Sequence, residues 1–300
     1  MATTIRIPEA FQHWMIKSNG AAGAAWIASI PRAFETLTNQ WKLANPGSPL
    51  HGGASLVIPV TWKNKPAMLK LAFSAPASQR EALALRHWRG NGMVQLLNHD
   101  ADLNALLLER VGPEHLDILP VQDAVQQIAQ LLRQTAIAPH PDVPTVMETA
   151  SAIAAHLDTR WERMGRPFPA RLVDACKHLI ADHSNDPTML MVNKDLHYRN
   201  VLRGQRLSWI AIDPQPYAGP PEFAVASILI RTVDLTTGPP AFRQVVSDII
   251  ETASLDPGKT IDWTIVRTVD YWLWALENGL TEDPVRCATV LEWLDEKMPR

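Results

Sequence analysis

The chain has 300 residues, of which 46% are hydrophobic and 20% charged, and its formal net charge is −3 at pH 7. This composition is typical of a soluble globular protein that is long enough for two domains of ordinary size. The small negative charge gives no reason to expect nucleic acid or an anionic membrane as a partner. The longest apolar run, Ala21 to Ile30, is too short to span a bilayer, and the N-terminus lacks the pattern of a signal peptide. With only two cysteines, Cys176 and Cys287, both in apolar helical patterns, we expect a cytoplasmic protein with reduced thiols.

The first third of the chain predicts one or two helices followed by a strand-rich segment. The helical part falls within residues 1–44, and Trp41 to Leu43 is a candidate start of the sheet. The elements that follow are a glycine turn at His51–Ser55, strands at Leu56–Trp62 and Ala67–Ala72, a helix at Ser78–Arg89, and a strand pair at Val94–Leu97 and Ala105–Leu108. Val111-Gly112-Pro113 then breaks the pattern, which predicts one domain over 1–110 and a second over 111–300.

The remainder of the chain is mostly helical by its apolar spacing. Its predicted helices are Val121–Gln134, Thr145–Met164, Ala170–His183, Glu222–Val233, Pro240–Leu255, Lys259–Leu280 and Asp283–Lys297. Short apolar runs at Met189–Val192, Val201–Leu202 and Trp209–Ile212 predict three strands. A polar loop separates the first strand from the second, and a turn separates the second from the third. We therefore predict an α+β protein with two lobes, a small N-terminal one built on an antiparallel sheet and a larger, mostly helical C-terminal one.

Three polar residues mark the ends of those short strands. Asp195 and Asn200 lie in the loop after the first, and Asp213 ends the third. Two carboxylates and an amide are oxygen donors that suit a hard cation such as Mg²⁺. An Asp five residues before an Asn, with a second Asp after a short hairpin, is the catalytic pattern of protein-kinase-like phosphotransferases. We assign Asp195 as catalytic base and Asn200 and Asp213 as metal ligands; the alternative is that all three only shape turns.

The segments that carry this pattern resemble the aminoglycoside phosphotransferase family, and within it the streptomycin and hydroxyurea phosphotransferase branch. These segments are Asp195–Leu202, Ile212–Pro214 and Gly219–Phe223, with Met68–Leu71 and Leu106–Arg110 further upstream. The chain departs from the family pattern at three positions. Asn193 stands where the family usually has His, Ala224 where it usually has Asp, and Gln215 where it often has a second acid.

The resemblance implies a protein-kinase-like fold and an enzyme that transfers the γ-phosphate of ATP, with Mg²⁺, to a hydroxyl group. The acceptor is then a small molecule, an aminoglycoside such as streptomycin or a hydroxyurea-type compound, and the enzyme confers antibiotic resistance. The resemblance also makes the lobe 1–110 the nucleotide-binding one and places the catalytic loop and the acceptor site in 111–300. The short stretch between Asp213 and Glu222 has no room for a protein-kinase activation segment, so a protein substrate is not expected.

For the nucleotide, Lys70 is the candidate phosphate clamp: it lies in an apolar strand that resembles the nucleotide strand of the family, and a predicted helix follows. The alternative is an edge lysine on a solvated face. Glu81 would pair with Lys70 and hold it, but Ser78 to Glu81 equally fits a helix capping box.

Further nucleotide contacts are expected from backbone groups. Gly52, Gly53 and Ser55 could cover the phosphates, although paired glycines more often only permit a tight turn. Glu109 and Val111 fall in the segment expected to meet adenine.

On the acceptor side, the sequence leaves more than one possibility open. Asp270, Trp272, Trp274 and Glu277 are weak candidates for the acceptor pocket, since tryptophans at helical spacing are mostly core. His197 and Arg199 could approach a phosphate or the acceptor. One alternative is a metabolite kinase for a sugar or an amino alcohol, and another is a nucleotide-binding protein without catalysis, suggested by the three departures. The sequence does not indicate an oligomeric state.

Overall fold

The computed structural model describes residues 5–295 of the chain. The chain divides into two compact units, Met1–Gly112 and Pro113–Arg300. Within the described residues, no helix is long and apolar enough to cross a membrane. The antiparallel sheet of the first unit and the mostly helical second unit confirm the predicted α+β class.

The first unit is built on a five-stranded antiparallel sheet. Its elements are α1 (Glu9–Trp41), β1 (Leu50–His51), β2 (Ser55–Trp62), β3 (Lys65–Ala72), α2 (Ala75–Trp88), β4 (Leu96–Asp100) and β5 (Ala105–Glu109). The strand order is β1-β2-β3-β5-β4, so β3 has a hydrogen-bonded neighbour on each side. The turn between β2 and β3 has positive φ at Lys63 (48°) and Asn64 (61°), which is the two-residue turn that matches the twist of paired strands.

Helix α1 covers the apolar face of this sheet. Its buried residues share one core with those of β2, β3 and β5, and they include Phe11, Met15, Ile27, Ile30, Phe34, Leu37 and Trp41. The helix ends at Trp41, where Lys42 takes the left-handed conformation and donates its N–H to Thr38 O. The expectation that Trp41 to Leu43 begins the sheet is therefore wrong, since this apolar segment ends a helix.

A break at Gly20 divides α1 into two helical segments. Gly20 has φ 57° and ψ −136°, a conformation that glycine adopts without steric cost. Close by, Gly23 lies against the preceding segment, and a Cβ added to it would stand 2.3 Å from the carbonyl oxygen of Met15. The break and the close approach together bring residues 9–19 back along the sheet, so this short segment has a fixed position within the unit.

The second unit is mostly helical and carries two small ladders. Its helices are α3 (Val121–Thr135), α4 (Val146–Arg163), α5 (Ala170–Asp182), α6 (Val225–Thr232), α7 (Pro239–Ala253), α8 (Pro257–Glu277) and α9 (Glu282–Asp295). Its strands are β6 (Leu190–Asn193), β7 (Val201–Arg203), β8 (Trp209–Ala211) and β9 (Pro216–Gly219). The end of the predicted last helix, beyond residue 295, lies outside the described residues.

β9 was not among the predicted strands. It pairs with β6, and the hairpin of β7 and β8 forms a separate ladder. The segment Pro216–Gly219 contains one proline and two small residues, and it lacks the β-branched run that marks most strands. Its strand conformation comes from antiparallel pairing with β6, from Leu190 opposite Gly219 to Asn193 opposite Pro216.

Gly23→Ala should destabilise the protein by about 1–3 kcal/mol, because the new methyl group meets backbone rather than a flexible side chain. The matched control is Gly53→Ala, where an added Cβ has no atom within 4 Å and the backbone is not left-handed. Urea unfolding followed by circular dichroism measures both. Equal stability of the two variants would show that the close approach at Gly23 does not constrain α1.

Candidate active site

The hairpin of β7 and β8 brings Asn200 and Asp213 to the same end of a ladder. Val201 pairs with Ala211, and the N–H of Ile212 donates to Asn200 O at 2.8 Å, so the ladder extends one step beyond the strands. Asn200, which precedes β7, and Asp213, which follows Ile212, are therefore close neighbours. Asp213 itself has φ 51°, an uncommon conformation for a non-glycine residue, and its side chain is exposed.

The loop from β6 to β7 is anchored by alternate residues. Leu196 and Tyr198 are buried, and the Tyr198 hydroxyl lies 3.0 Å from Thr232 Oγ1 of α6. Asp195 and His197, which alternate with them along the chain, are only half-buried. This alternation turns the apolar side chains into the helical core and leaves the polar ones at the site.

Asp195 is held by two amide side chains. Asn200 Nδ2 donates to the Asp195 carbonyl oxygen at 3.0 Å and to Asp195 Oδ2 at 3.3 Å, and Gln215 Nε2 donates to the same Oδ2 at 3.3 Å. With its nitrogen used in this way, the Asn200 amide keeps Oδ1 as the atom that can bind a metal. The donor set at the end of the hairpin thus fits a hard cation: one amide oxygen and the Asp213 carboxylate.

The surroundings of Asp195 shift its ionisation. Burial, and then the nearby Asp213 carboxylate, raise the pKa of Asp195 to about 6, against an opposing effect of Arg267, Lys194 and Arg231. Burial and then Arg231 lower the pKa of His197 to about 4. His197 Nε2 lies 3.9 Å from Asp195 Oδ1, and the imidazole is neutral at pH 7, so this contact adds no ion pair. At neutral pH Asp195 is a carboxylate that is more basic than an ordinary aspartate.

Asn193, the first departure from the family pattern, joins the two halves of the site. Its side chain is fully buried, and its Oδ1 accepts the N–H of Asp195 at 3.1 Å and the N–H of Gln215 at 2.9 Å. The N–H of Lys194 donates in turn to Gln215 O at 2.9 Å. The loop that carries the candidate base is therefore tied to the loop that follows Asp213.

The other two departures leave this anchoring intact. Gln215 provides the backbone bonds to Asn193 and Lys194 in addition to its bond to Asp195, so the position is used although it carries no acid. Ala224 is fully buried in a 3₁₀ turn, and the neighbouring Glu222 accepts the N–H of Asp256 at 2.9 Å. The segment after β9 is thus held by packing and by Glu222.

Sequence reasoning missed two basic residues beside Asp195. Arg267 of α8 is 6% exposed, with Nη2 3.5 Å from Lys194 O, Nη1 3.8 Å from Asp270 Oδ2, and its guanidinium over the Phe223 ring. Lys194 Nζ lies over the Tyr217 ring at 4.9 Å, and burial followed by the charge of Arg267 lowers the pKa of Lys194. An arginine on the apolar face of a predicted helix was the available signal, because buried charge is costly unless it is paired.

In the first unit, Lys70 and Glu81 form a buried ion pair. Lys70 Nζ lies 2.6 Å from Glu81 Oε2, and the two side chains are each 7% exposed. Because β3 lies between β2 and β5, the alternative of an edge lysine on a solvated face is wrong. The capping-box alternative for Glu81 is also wrong: α2 begins at Ala75, and the cap is Ser74, whose side chain accepts from Ala77 N. The predicted pairing is present, and the phosphate contact of Lys70 stays a prediction.

The remaining nucleotide candidates have local structural contacts. Gly52 and Gly53 form the turn between β1 and β2, closed by the N–H of Gly52 donating to Ser55 O at 3.0 Å. Glu109 ends β5, and its side chain accepts the N–H of Gln95 at 3.2 Å. Val111 follows two residues later and is half-buried. Their predicted contacts with ATP stay predictions.

The acidic candidates for the acceptor pocket are paired with arginines. Arg160 of α4 contacts Asp270 Oδ1 at 2.6 Å and Glu277 Oε1 at 3.0 Å, and Arg163 also contacts Glu277. Trp272 packs against Phe168 with ring centroids 5.0 Å apart. Trp274 stacks on Tyr271 and is 46% exposed. The arginine contacts join α4 to α8, so Asp270 and Glu277 have structural partners within the second unit, and Trp272 has one in Phe168. Trp274, by contrast, stays partly exposed.

Comparison with known proteins identifies the family. The family model described as aminoglycoside/hydroxyurea antibiotic resistance kinase matches residues 40–279. The chain belongs to this family. It is 31% identical over 285 residues to streptomycin 6-kinase of Streptomyces griseus, covering 92% of this chain and 93% of that protein. It is also 31% identical over 301 residues to hydroxyurea phosphotransferase of Kitasatospora aureofaciens, covering 98% and 87%.

A solved structure supports the same assignment at the level of fold. It is a thermostable mutant of aminoglycoside phosphotransferase APH(4)-Ia in ternary complex with AMP-PNP and hygromycin B, with a TM-score of 0.61 and 17% identity. The match covers 88% of this chain and 99% of that one. The predicted protein-kinase-like fold, the predicted family and the assignment as a phosphotransferase that acts on hydroxyl groups are confirmed.

Asn193→Leu should loosen the link between the two loops, because leucine fills a similar volume but leaves the N–H groups of Asp195 and Gln215 without an acceptor. We expect faster amide hydrogen exchange at residues 195 and 215 and a loss of about 1–3 kcal/mol in stability. The control, Asn193→His, introduces the residue that is usual in the family and should retain more protection. Unchanged exchange in the leucine variant would contradict the role given to Asn193.

Proposed function

We propose that this kinase transfers the γ-phosphate of ATP, with Mg²⁺, to a hydroxyl group of streptomycin or a similar aminoglycoside, or of hydroxyurea, and thereby confers resistance. The observation that carries the proposal is the set Asp195, Asn200 and Asp213 at one end of a hairpin, in a chain that belongs to an antibiotic resistance kinase family. Relatives named for these two acceptors match nearly the whole chain.

In this proposal Asp195 accepts the proton of the acceptor hydroxyl. A general base works best when it is ionised at the working pH and its pKa is not far below it. A carboxyl with a pKa of about 6 meets both conditions at neutral pH. The amides of Asn200 and Gln215, both donating to Oδ2, fix the carboxylate so that Oδ1 can face the hydroxyl.

Asn200 Oδ1 and the Asp213 carboxylate would hold the metal. Mg²⁺, when bound, offsets the charge of the nucleotide phosphates, and two side-chain oxygens are enough because phosphates and water complete its coordination. Asp213 keeps an uncommon backbone conformation and an exposed side chain, which agrees with a residue held in place for a ligand.

The first unit would contribute the contacts to the nucleotide. Lys70, kept in place by Glu81, would bind the phosphates as a point charge. The turn at Gly52, Gly53 and Ser55 would cover the phosphates with backbone N–H groups. Glu109 and Val111 would present backbone groups to adenine.

The identity of the acceptor also forms part of the proposal, and one observation favours a second candidate. Asp270 and Glu277 are neutralised by Arg160 and Arg163, so these acids offer little to a polycationic aminoglycoside. A neutral hydroxyl compound requires no such acids. A metabolite kinase acting on a sugar or an amino alcohol is therefore the second candidate. Of these two the charge pattern favours the neutral sugar, because an amino alcohol carries an ammonium group, and hydroxyurea is the antibiotic acceptor that the pattern suits best. A cytoplasmic location stays a prediction.

An acceptor panel should separate these possibilities. We expect ATP-dependent, Mg²⁺-dependent phosphorylation of streptomycin or hydroxyurea, measured by coupled ADP release and by the mass of the product. Sugars and amino alcohols are the comparison arm. Turnover of that arm alone would replace the antibiotic acceptor with a metabolite, and binding of ATP without transfer to any acceptor would support a protein without catalysis.

Asp195→Ala should lower kcat by about 10²–10⁴-fold, because the proton of the hydroxyl loses its acceptor. ATP affinity, measured by isothermal titration calorimetry, should stay nearly unchanged. The control is Asp182→Ala, which removes an exposed carboxylate at the end of α5. Substantial transfer by the Asp195 variant would mean that another group is the base.

A further inference from the structure

The short helical segment before the break in α1 contacts the glycine turn directly. Trp14 Nε1 donates to the carbonyl oxygen of Gly53 at 2.9 Å. Phe11, fully buried in the core of the first unit, stacks on His51 with ring centroids 4.9 Å apart and planes 23° apart. Residues 9–19 therefore hold the turn through one hydrogen bond and one stacked pair of rings. The matched family model begins at residue 40, so this segment lies outside it.

The bond to Trp14 sets the orientation of one peptide group in the turn. In a trans peptide the carbonyl oxygen and the next N–H point in opposite directions, and the described chain has no cis peptide. With Gly53 O bound to Trp14, the N–H of Ala54 faces away from the helix. Within the part of the chain that the structure describes, neither Gly53 N–H nor Ala54 N–H donates to another residue.

The other end of the same residue is also held. Ala54 O accepts the N–H of Phe73 at 3.0 Å, and the Phe73 ring packs edge-on against Trp26 of α1. Both peptide groups that flank the Ala54 Cα thus have one bonded oxygen each. The N–H of Ala54 is left as a fixed donor with no protein acceptor among the described residues.

Gly53 is not required by the packing of its own unit. Its backbone is not left-handed, and an added Cβ would have no described atom within 4 Å. Alanine would therefore fit the fold. A glycine can also be used to let a ligand approach the main chain closely. The empty space beside Gly53 is suited to that use.

We propose that Trp14 is a positioning residue for nucleotide phosphate, since it fixes the glycine turn so that the N–H of Ala54 donates to a phosphate oxygen. The inference rests on the proposed function and names a group outside the family model that would set nucleotide affinity. Oriented backbone N–H groups bind phosphate most effectively when they are fixed before the ligand arrives.

The test compares Trp14→Phe with the wild-type protein. Phenylalanine keeps an aromatic ring on α1 and removes the indole N–H donor together with the five-membered ring, at a side chain that is 43% exposed. Isothermal titration calorimetry with ATP should show affinity weakened by about three- to tenfold, the loss expected for one hydrogen bond that positions a binding group. Affinity for adenosine, which has no phosphate, should stay the same, as should the midpoint of thermal unfolding. The control, Trp62→Phe, makes the same change at the opposite end of β2.

A second variant tests the turn without altering the helix. Gly53→Ala should fold with unchanged stability but bind ATP more weakly than the wild type, again with unchanged affinity for adenosine. Equal loss for ATP and adenosine, or no loss in either variant, would overturn the role of Trp14 and the turn. Wild-type protein that binds no ATP would overturn the proposed function and this inference together.

Discussion

The two loops of the candidate active site depend on one buried amide. Asn193 Oδ1 accepts two backbone N–H groups, one from the segment that carries Asp195 and one from the segment that follows Asp213. Removing a buried acceptor that serves two donors lowers the stability of the fold, because each N–H group then remains desolvated without a hydrogen bond. The amide therefore ties the loop of the candidate base, after β6, to the segment that follows a candidate metal ligand, after β8.

Charge around Asp195 is balanced by residues from several helices. Lys194 directly precedes Asp195, Arg267 of α8 contacts the Lys194 carbonyl oxygen, and Arg231 of α6 adds a third positive charge, paired with Asp283 at 2.7 Å. These cations oppose the effects of burial and of Asp213 on the pKa of Asp195, and the result is an intermediate value of about 6. The arginines of this region also pair with nearby acids, and Asp270 contacts both Arg160 and Arg267. Residues of the helices thus set the pKa of Asp195. They also pair with acidic side chains that could otherwise bind a cationic acceptor.

In the first unit, packing of α1 performs a comparable task. The break at Gly20 and the close approach at Gly23 turn residues 9–19 back along the sheet, where Phe11 and Trp14 contact the glycine turn. The Lys70–Glu81 pair lies in the same unit and joins β3, the middle strand of the sheet, to α2. Two features expected to meet phosphate are therefore set by the core of one domain.

The sequence by itself determined the elements with strong periodicity and the polar residues at their ends. Amphipathic helices such as Val121–Thr135 and the spacing of Asp195, Asn200 and Asp213 are local patterns, which can be read within a short window of the sequence. The pairing of β6 with Pro216–Gly219, the helical end at Trp41 and the single role of Glu81 were decided by tertiary structure. The hydrogen bonds of Asn193 and Trp14 were also decided by tertiary structure. Asn193 bonds a residue 22 positions away, and Trp14 bonds a residue 39 positions away. Contacts between residues so far apart depend on how the helices and strands pack. The spacing of apolar residues within a short window of sequence does not predict them.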